Sequence, residues 1–314
     1  MKNGTGIELF IEIAPNGLSA GACNDAAGSE SDDLPLSVAA GILSKDRERV
    51  KSVHLCGLEP AAYGRLFELI SVLDRHVVPY SVQSSGRWPE PLRLLKAVSR
   101  SPAFMGFSFH LDTPEQRFRS IADTSGSPSL IWKAVGAVSE RGIPFQIITE
   151  IREQNKQRIR ELISLSLGSG AFRHLFSRYT GPLRDGLSIS RRSLGKVLAY
   201  IGSVAEAGLP VLLQSCLPLC FSRLSCGCRA GKDFLFITAC GELKPCRLTG
   251  FQYGSLLSAG LRDILSGERA REWTAIGSSA CGRCGMKGIC TGGCRIFFHD
   301  YGMSCDPLML SDPF

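Results

Sequence analysis

Short apolar segments alternate with longer amphipathic stretches through the first two thirds of the chain. In the amphipathic stretches, apolar residues recur at three- and four-residue steps, the spacing of one helix face. Two such sets are Leu66, Ile70 and Leu73, and Ile131, Val135 and Val138. The apolar segments have the length of buried strands. They cover residues 7–13, 50–56, 77–83, 104–110, 144–151 and 171–179.

This alternation predicts an α/β fold, a parallel sheet with helical crossovers that is closed or partly closed as a TIM-like (β/α)6 barrel. Two further helices are predicted, over 155–170 and 190–208. In barrels of this kind, ligands lie at the carboxyl ends of the strands. The segments "APNGLSAGAC" (14–23) and "CGLEP" (56–60) follow the first two predicted strands, so we expect them to face one cavity.

The pattern changes near residue 210. The segment "DFLFITACGELKPC" (233–246) predicts a hairpin that turns at Cys240 and Gly241, and "LRDILSGERAREW" (261–273) predicts one short helix. The remainder is rich in glycine and cysteine and has little apolar core, so a metal would have to hold it together. We therefore predict two domains, residues 1–208 and residues 209–314.

The number of cysteines and the net charge of the chain indicate which classes of function are compatible with the sequence. The chain has thirteen cysteines, of which eleven fall between Cys216 and Cys305. Because the N-terminus lacks the apolar core of a signal peptide, we expect a cytoplasmic protein, in which clustered cysteines indicate metal rather than disulfides. No apolar run reaches about 18 residues, so no membrane span is expected. The formal net charge is +7 with scattered basic residues, which does not favour nucleic-acid binding.

The strongest signal is "CGRCGMKGICTGGC" (281–294), in which cysteines are separated by two, five and three residues. Zinc sites often use paired C-x-x-C elements, whereas iron–sulfur clusters tolerate irregular steps. Only one C-x-x-C is present in this segment, so the spacing favours an iron–sulfur cluster over zinc. The candidate ligands are Cys220, Cys226, Cys228, Cys246, Cys281, Cys284, Cys290, Cys294 and Cys305.

The order of these cysteines, together with the glycine five residues before Cys246, resembles the SPASM domain, the auxiliary-cluster domain of many radical SAM enzymes. The resemblance implies two [4Fe–4S] clusters. It gives the first cluster Cys220, either Cys226 or Cys228, Cys246 and Cys294. It gives the second cluster Cys281, Cys284, Cys290 and Cys305. Cys216 and Cys240 are left as spare cysteines, with Cys240 a bystander thiol in the hairpin turn.

The first two thirds of the chain resemble a radical SAM barrel. The stretch "VHLCGLEPAAYGRLFELI" is similar to the second strand of that family and its "GGEP" motif, here Gly57, Leu58, Glu59 and Pro60. In the family, this motif meets the amino group of S-adenosylmethionine, and the alternative for Glu59 is a cap on the next helix. Asp112 stands where such proteins often carry an acid on the substrate side. The alternative for His110 and Asp112 is ordinary loop polarity.

The resemblance fails at the loop after the first strand. Family members carry C-x3-C-x2-C there, and the three thiolates leave one iron of a [4Fe–4S] cluster open for the cofactor. The matching positions in this sequence are Asn16, Ala20 and Cys23, so only Cys23 remains as a remnant of the cluster loop. Cys56 does not restore a third thiolate. We expect no cofactor-cleaving cluster, and without its main chelate the binding of S-adenosylmethionine is left open.

The candidate ligands for two auxiliary clusters are present, whereas two of the three cysteines for the cofactor-cleaving cluster are missing. Three functions are compatible with this difference. The first is an accessory protein, a pseudoenzyme of the peptide-maturase type, whose clusters pass electrons and whose barrel binds a peptide, a substrate protein or an active radical SAM enzyme. The second is an active radical SAM enzyme that modifies a peptide or protein side chain with atypical cluster ligation. The third is a scaffold in which metal only holds the C-terminal domain together. Peptide or protein modification is implied by the resemblance alone.

Overall fold

A single sheet organises the protein. The computed structural model describes residues 6–13, 34–112, 128–181, 186–214, 216–222, 224, 227–286 and 290–310. The strands in these ranges are β1 (Ile7–Glu12), β2 (Val50–Cys56), β3 (Tyr80–Ser84), β4 (Phe104–His110), β5 (Phe145–Ile151), β6 (Arg173–Arg178), β7 (Val211–Leu213), β8 (Phe234–Ile237), β9 (Glu242–Lys244) and β10 (Gly254–Ser255).

The strand order is β10-β9-β8-β1-β2-β3-β4-β5-β6-β7. Strands β1 to β7 are parallel to their neighbours, whereas β9 pairs antiparallel with β8 and β10. The parallel α/β fold is confirmed, and so are all six predicted strands. Within the described ranges, β7 and β10 are the sheet's two edges and do not pair with each other, so the sheet is an open arc rather than a closed barrel.

Helices connect most of the parallel strands. None of the helices in the described ranges is long and apolar enough to cross a membrane. These helices are α1 (Leu34–Asp46), α2 (Leu66–Arg75), α3 (Pro91–Arg100), α4 (Pro128–Ser139), α5 (Ile159–Gly168), α6 (Arg191–Glu206), α7 (Leu261–Ser266), α8 (Glu268–Ala275) and α9 (Arg295–His299).

The predicted helix faces pack on the sheet. Leu66, Ile70 and Leu73 of α2 are buried, and so are Ile131, Val135 and Val138 of α4. Burying one such side chain contributes about 1.5–3 kcal/mol, so each three-residue face stabilises the packing of its helix against the strands. Residue Ser190 begins α6 as its N-cap, since its hydroxyl accepts a hydrogen bond from the backbone N–H of Ser193 at 3.2 Å.

Two features differ from the sequence-based expectation. The single helix predicted over 261–273 is two helices, because Gly267 has an extended backbone that ends α7 and begins α8. Glycine is among the poorest helix formers, which explains the break. In addition, α1, α3, α9, β7 and β10 were not predicted. Strand β7 has only three residues, too few to show a period.

The cysteine-rich segment continues the sheet of the N-terminal segment. Strand β8 lies parallel to β1 with Ile237 opposite Ile11, and the predicted hairpin forms from β8 and β9. On the other side of β1, Glu12 lies opposite Cys56. The carboxyl ends of β1, β2 and β8 therefore meet at one edge of the sheet. The boundary between 208 and 209 stays a prediction, since the hydrogen-bonded sheet runs across it.

Candidate metal centres

Four cysteines from distant parts of the cysteine-rich segment meet in a buried cluster, which we call the first thiol group: Cys216, Cys228, Cys246 and Cys294. Hydrogen bonds with Cys228 and Cys294, together with burial, hold the pKa of Cys216 well above its ordinary value. Cys294 is buried and packs against Cys216 and Cys246. The structure therefore brings three predicted first-cluster ligands together with Cys216, which was expected to be a spare cysteine.

Hydrogen bonds between the sulfurs shift the pKa values of the first thiol group in opposite directions. The Cys216 thiol hydrogen bond lowers the pKa of Cys228 to about 6, so Cys228 is the thiolate and Cys216 the protonated partner. Burial, with smaller contributions from the neighbouring Cys294 and Cys228, raises the pKa of Cys246 to about 12. Thiols that are protonated in this way release their protons when metal binds.

A second set of cysteines forms the second thiol group: Cys220, Cys281, Cys284 and Cys290. The pKa of Cys220 is raised by burial and, to a smaller extent, by the nearby Cys290, Cys281 and Cys284. A backbone N–H, that of Leu219, also donates to the Cys290 sulfur at 3.1 Å. Cys220 thus lies with the predicted second-cluster ligands, although the resemblance had given it to the first cluster.

The position of Cys305 is fixed through its neighbours. Cys305 is buried, and the preceding carbonyl of Ser304 accepts a hydrogen bond from the Ser278 hydroxyl at 2.9 Å. Ser278 in turn precedes the turn that carries Cys281, where the Cys284 N–H donates to the Cys281 carbonyl at 3.0 Å. Cys305 therefore follows a segment that is bound to the start of the second thiol group.

The donor set fits iron–sulfur clusters. Each group offers thiols, and backbone N–H groups donate to two of the sulfurs, those of Cys290 and Cys246. Such hydrogen bonds are a usual feature of cluster sites. Among the described side chains, no three of Cys, His, Asp or Glu converge on a position for one metal ion. In a [4Fe–4S] cluster, by contrast, the four thiolates bind four different irons.

A buried ion pair supports the first thiol group. Arg178, the last residue of β6, donates from Nη1 to Asp306 Oδ1 at 2.9 Å and from Nη2 to Oδ2. Asp306 Oδ2 also accepts from the backbone N–H of Cys294 at 2.9 Å. A Cβ on Gly293 would lie 2.3 Å from that oxygen, and the backbone there has φ +108°, so only glycine fits. Sequence reasoning missed this pair, although Asp306 directly follows the last cysteine.

The glutamate of the "GLEP" motif is bound on both oxygens by protein donors. Its Oε1 accepts from the backbone N–H of Ala61 at 3.1 Å. Its Oε2 accepts from the Ser85 N–H at 2.9 Å, the Ser85 hydroxyl at 2.8 Å and the Arg87 N–H at 3.2 Å. The Ser84 hydroxyl lies within hydrogen-bond distance of both oxygens. Glu59 therefore caps the turn after β2 and fastens it to the loop after β3, as the alternative reading of the motif had it.

Comparisons with known proteins address the cysteine-rich segment first. A family model of the SPASM iron–sulfur cluster-binding domain matches residues 226–286. This chain carries a SPASM domain. No curated protein sequence matches the chain significantly.

Solved structures match over nearly the whole chain. Streptococcus suis SuiB bound to S-adenosylmethionine gives a TM-score of 0.73 at 16% identity, over 99% of this chain and 77% of that chain. SuiB bound to precursor peptide SuiA gives 0.71 at 16%, over 93% and 72%. Native anSMEcpe with bound AdoMet and Cp18Cys peptide gives 0.70 at 15%, over 97% and 94%. At these identities the likeness shows the fold, that of radical SAM/SPASM enzymes.

The SPASM domain contributes a charge near the carboxyl ends of the parallel strands. This charge is that of Arg247, which directly follows Cys246. Burial and, to a smaller extent, the charges of Arg247 and Arg152 together lower the pKa of His110 to about 4. Arg152 binds Glu150 Oε2 through Nη2 at 2.6 Å, and its Nη1 lies 3.7 Å from Asp112 Oδ2. Burial raises the pKa of both of these carboxyls. Asp112 is thus part of a charged network with Arg152 and Glu150.

Of the remaining predicted site residues, some lie outside the described ranges and one, Cys56, lies within them. Asn16, Ala20, Cys23 and Cys226 lie outside the described residues. Cys56 is a buried thiol that donates to the Ile11 carbonyl at 3.4 Å, and burial raises its pKa to about 12.

Two further expectations can be compared with the structure. Cys240, expected as a free bystander thiol, is instead disulfide-bonded. A Cβ on Gly57 would lie 2.2 Å from the Ile13 carbonyl oxygen, so the first glycine of the motif is needed where β1 and β2 end together. Pro60 is buried at the start of the turn that Glu59 caps.

Proposed function

We propose that this chain is an accessory protein of the radical SAM/SPASM type, which holds two [4Fe–4S] clusters and does not cleave S-adenosylmethionine. The observation that carries the proposal is the separation of the SPASM cysteines into two thiol groups. Each group contains enough thiolates for one cluster. When bound, such clusters supply one-electron transfer.

The first cluster is assigned to Cys216, Cys228, Cys246 and Cys294. The second cluster is assigned to Cys281, Cys284 and Cys290. Its fourth ligand is Cys305, which the family resemblance implies, or Cys220, whose pKa the other three cysteines raise. The roles of the protein are to deprotonate and hold these thiols, to direct backbone N–H groups at the sulfurs, and to exclude water from the first group.

The absence of cofactor cleavage rests on the sequence of the loop after β1. An intact cluster for that reaction needs three thiolates, and the matching positions are Asn16, Ala20 and Cys23. Cys56 adds a thiol whose raised pKa keeps it protonated. Glu59 is engaged by protein donors, so Gly57 and Pro60 are the parts of the motif that we assign to any residual S-adenosylmethionine binding.

A peptide is the partner that the fold supports best. SuiB has been seen with the precursor peptide SuiA, and anSMEcpe with Cp18Cys peptide. We assign peptide or partner-enzyme binding to the edge where β1, β2, β4 and β5 end, where Asp112 and Arg152 lie. Residues 1–208 would then form the binding domain and residues 209–314 the cluster domain.

An active enzyme with atypical ligation is the second candidate. It is favoured by the likeness to SuiB and anSMEcpe structures that contain S-adenosylmethionine. Anaerobic reconstitution followed by iron and sulfide analysis tests the cluster count, for which we expect about eight irons per chain. Four irons or none would contradict two clusters. Comparing Cys220→Ala with Cys305→Ala identifies the fourth ligand of the second cluster as the variant that loses about half of the iron.

A further inference from the structure

The buried ion pair between Arg178 and Asp306 is costly unless it has a specific task. Its side chains are 3% and 0% exposed. Removing two charges from water carries a large desolvation penalty, and apolar residues of similar volume often stabilise a protein as well or better. The presence of the pair therefore calls for an explanation other than the stability of the fold.

The surroundings of Arg178 supply an explanation for the buried ion pair. Asp306 orients Arg178 and also binds the backbone N–H of Cys294, so one carboxylate connects the guanidinium to a proposed cluster ligand. The guanidinium lies 5.2 Å from the ring centroid of Phe297, which packs beside Cys294. Burial alone would lower the pKa of Arg178, but Asp306 raises it, and the nearby sulfurs of Cys216 and Cys294 make smaller contributions in the same direction. A fixed positive charge thus lies beside the first thiol group.

We propose that Arg178 is a positioning residue for the first cluster, which sets both the placement of Cys294 and the reduction potential of that cluster. This inference rests on the proposed function, because it requires a cluster in the first thiol group. A cluster gains negative charge when it is reduced, so a nearby cation stabilises the reduced form and raises the potential. Asp306 acts in the opposite direction. The second thiol group has no such pair in the residues described around it.

The test is a redox titration monitored by electron paramagnetic resonance, made on reconstituted full-length protein. Titrating the Cys284→Ala variant, which retains only the first cluster, assigns that cluster's signal. Arg178→Met is expected to shift the potential of the first cluster negatively, and Asp306→Asn to shift it positively. Asn keeps one acceptor oxygen for the Cys294 N–H but leaves the Arg178 charge without its partner, so the iron content of both variants is measured before their potentials are compared. The potential of the second cluster stays unchanged in both.

A matched control is Arg262→Met. Arg262 also joins the SPASM domain to the N-terminal segment, through Asp46 and Glu48 at 3.4 Å, but its side chain is 59% exposed. It should shift neither potential. A role confined to stability would move both Arg178 and Asp306 variants in the same direction or leave the potential unchanged, and either result would overturn the inference.

A metal-free readout separates this inference from the proposed function. In the apo-protein, iodoacetamide should alkylate Cys294 of Arg178→Met about tenfold faster or more than in the parent, because loss of the pair promotes local opening. Alkylation of Cys284, in the other group, should be unchanged. If the parent protein binds no cluster, the proposed function fails, and the potential-setting role fails with it. If it binds clusters but alkylation and potentials do not respond, only the inference about Arg178 fails.

Discussion

Arg178 forms a buried two-point ion pair with Asp306, which lies 128 positions later in the sequence. The pair joins the last residue of β6 to the residue that directly follows the last cysteine. Asp306 also accepts the backbone N–H groups of Cys294 and Leu308. One carboxylate therefore holds together β6, the loop before α9 and the turn that follows Cys305. The sheet and the first thiol group are thereby fixed relative to each other.

Breaking this pair should destabilise the protein strongly. Arg178→Met leaves the Asp306 charge buried without its partner, and such changes cost about 3–5 kcal/mol in the free energy of unfolding. Denaturant unfolding of the anaerobic protein measures the loss. The exposed-pair variant Arg262→Met should lose about 1 kcal/mol or less. Equal losses in the two variants would show that the Arg178 pair has no special role in stability.

Glu59 should be essential to the fold rather than only to a cofactor. In Glu59→Gln, an amide group replaces one of two oxygens that face protein donors, so we expect a loss of about 2–4 kcal/mol in the free energy of unfolding. The control is Glu90→Gln, because the Glu90 side chain is exposed and its carboxylate forms a surface ion pair with Arg93 at 3.0 Å. A Glu59→Gln protein that unfolds at the same denaturant concentration as the parent would contradict the capping role.

Stability should fall on the acid side because of His174. This side chain is buried, its Nε2 lies 2.9 Å from the Thr149 hydroxyl, and burial lowers its pKa to about 3. The unfolded chain binds a proton near pH 6.5, whereas the folded chain does not. Stability is therefore fully present above that pH and is lost as pH falls toward 3, by at most about 1.4 kcal/mol per pH unit.

The His174→Gln variant separates this contribution from those of other histidines. His54 and His110 also have pKa values lowered to about 4 by burial, so part of the pH dependence will remain. Unfolding free energies at several pH values between 5 and 7 should give a shallower slope for the variant than for the parent. Parallel slopes would mean that His174 is charged in the folded protein.

Iron content should distinguish the thiol groups from the loop after β1. Cys216→Ala and Cys284→Ala are each expected to lose about half of the reconstituted iron, since each removes a ligand from a different cluster. Cys284→Ala should also destabilise the SPASM domain. Cys23→Ala should retain nearly all of the iron. Full iron content in Cys216→Ala would return Cys216 to the spare cysteines and favour Cys220 or Cys226 in the first cluster.

The features that were predicted correctly are those that depend on residues close together in the sequence. The apolar residues of α2 and α4 showed their buried faces, and the steps between Cys281 and Cys294 indicated a cluster site. The contact of Cys216 with the first thiol group was not predictable in this way, because the cysteines of that group are distant in the sequence and meet only in the folded protein. The same holds for Arg178 and Asp306, which no local period connects. Glu59 was ambiguous for a different reason: its role depends on donors from the loop after β3.

The central claim is that this radical SAM/SPASM-type chain holds two clusters without cleaving the cofactor. The most direct test supplies the anaerobically reconstituted protein, with its iron counted, with dithionite and S-adenosylmethionine, and measures 5′-deoxyadenosine by chromatography. We predict about eight irons per chain and no 5′-deoxyadenosine above a protein-free control. Steady production of 5′-deoxyadenosine in proportion to protein concentration would contradict the accessory role and establish an active enzyme.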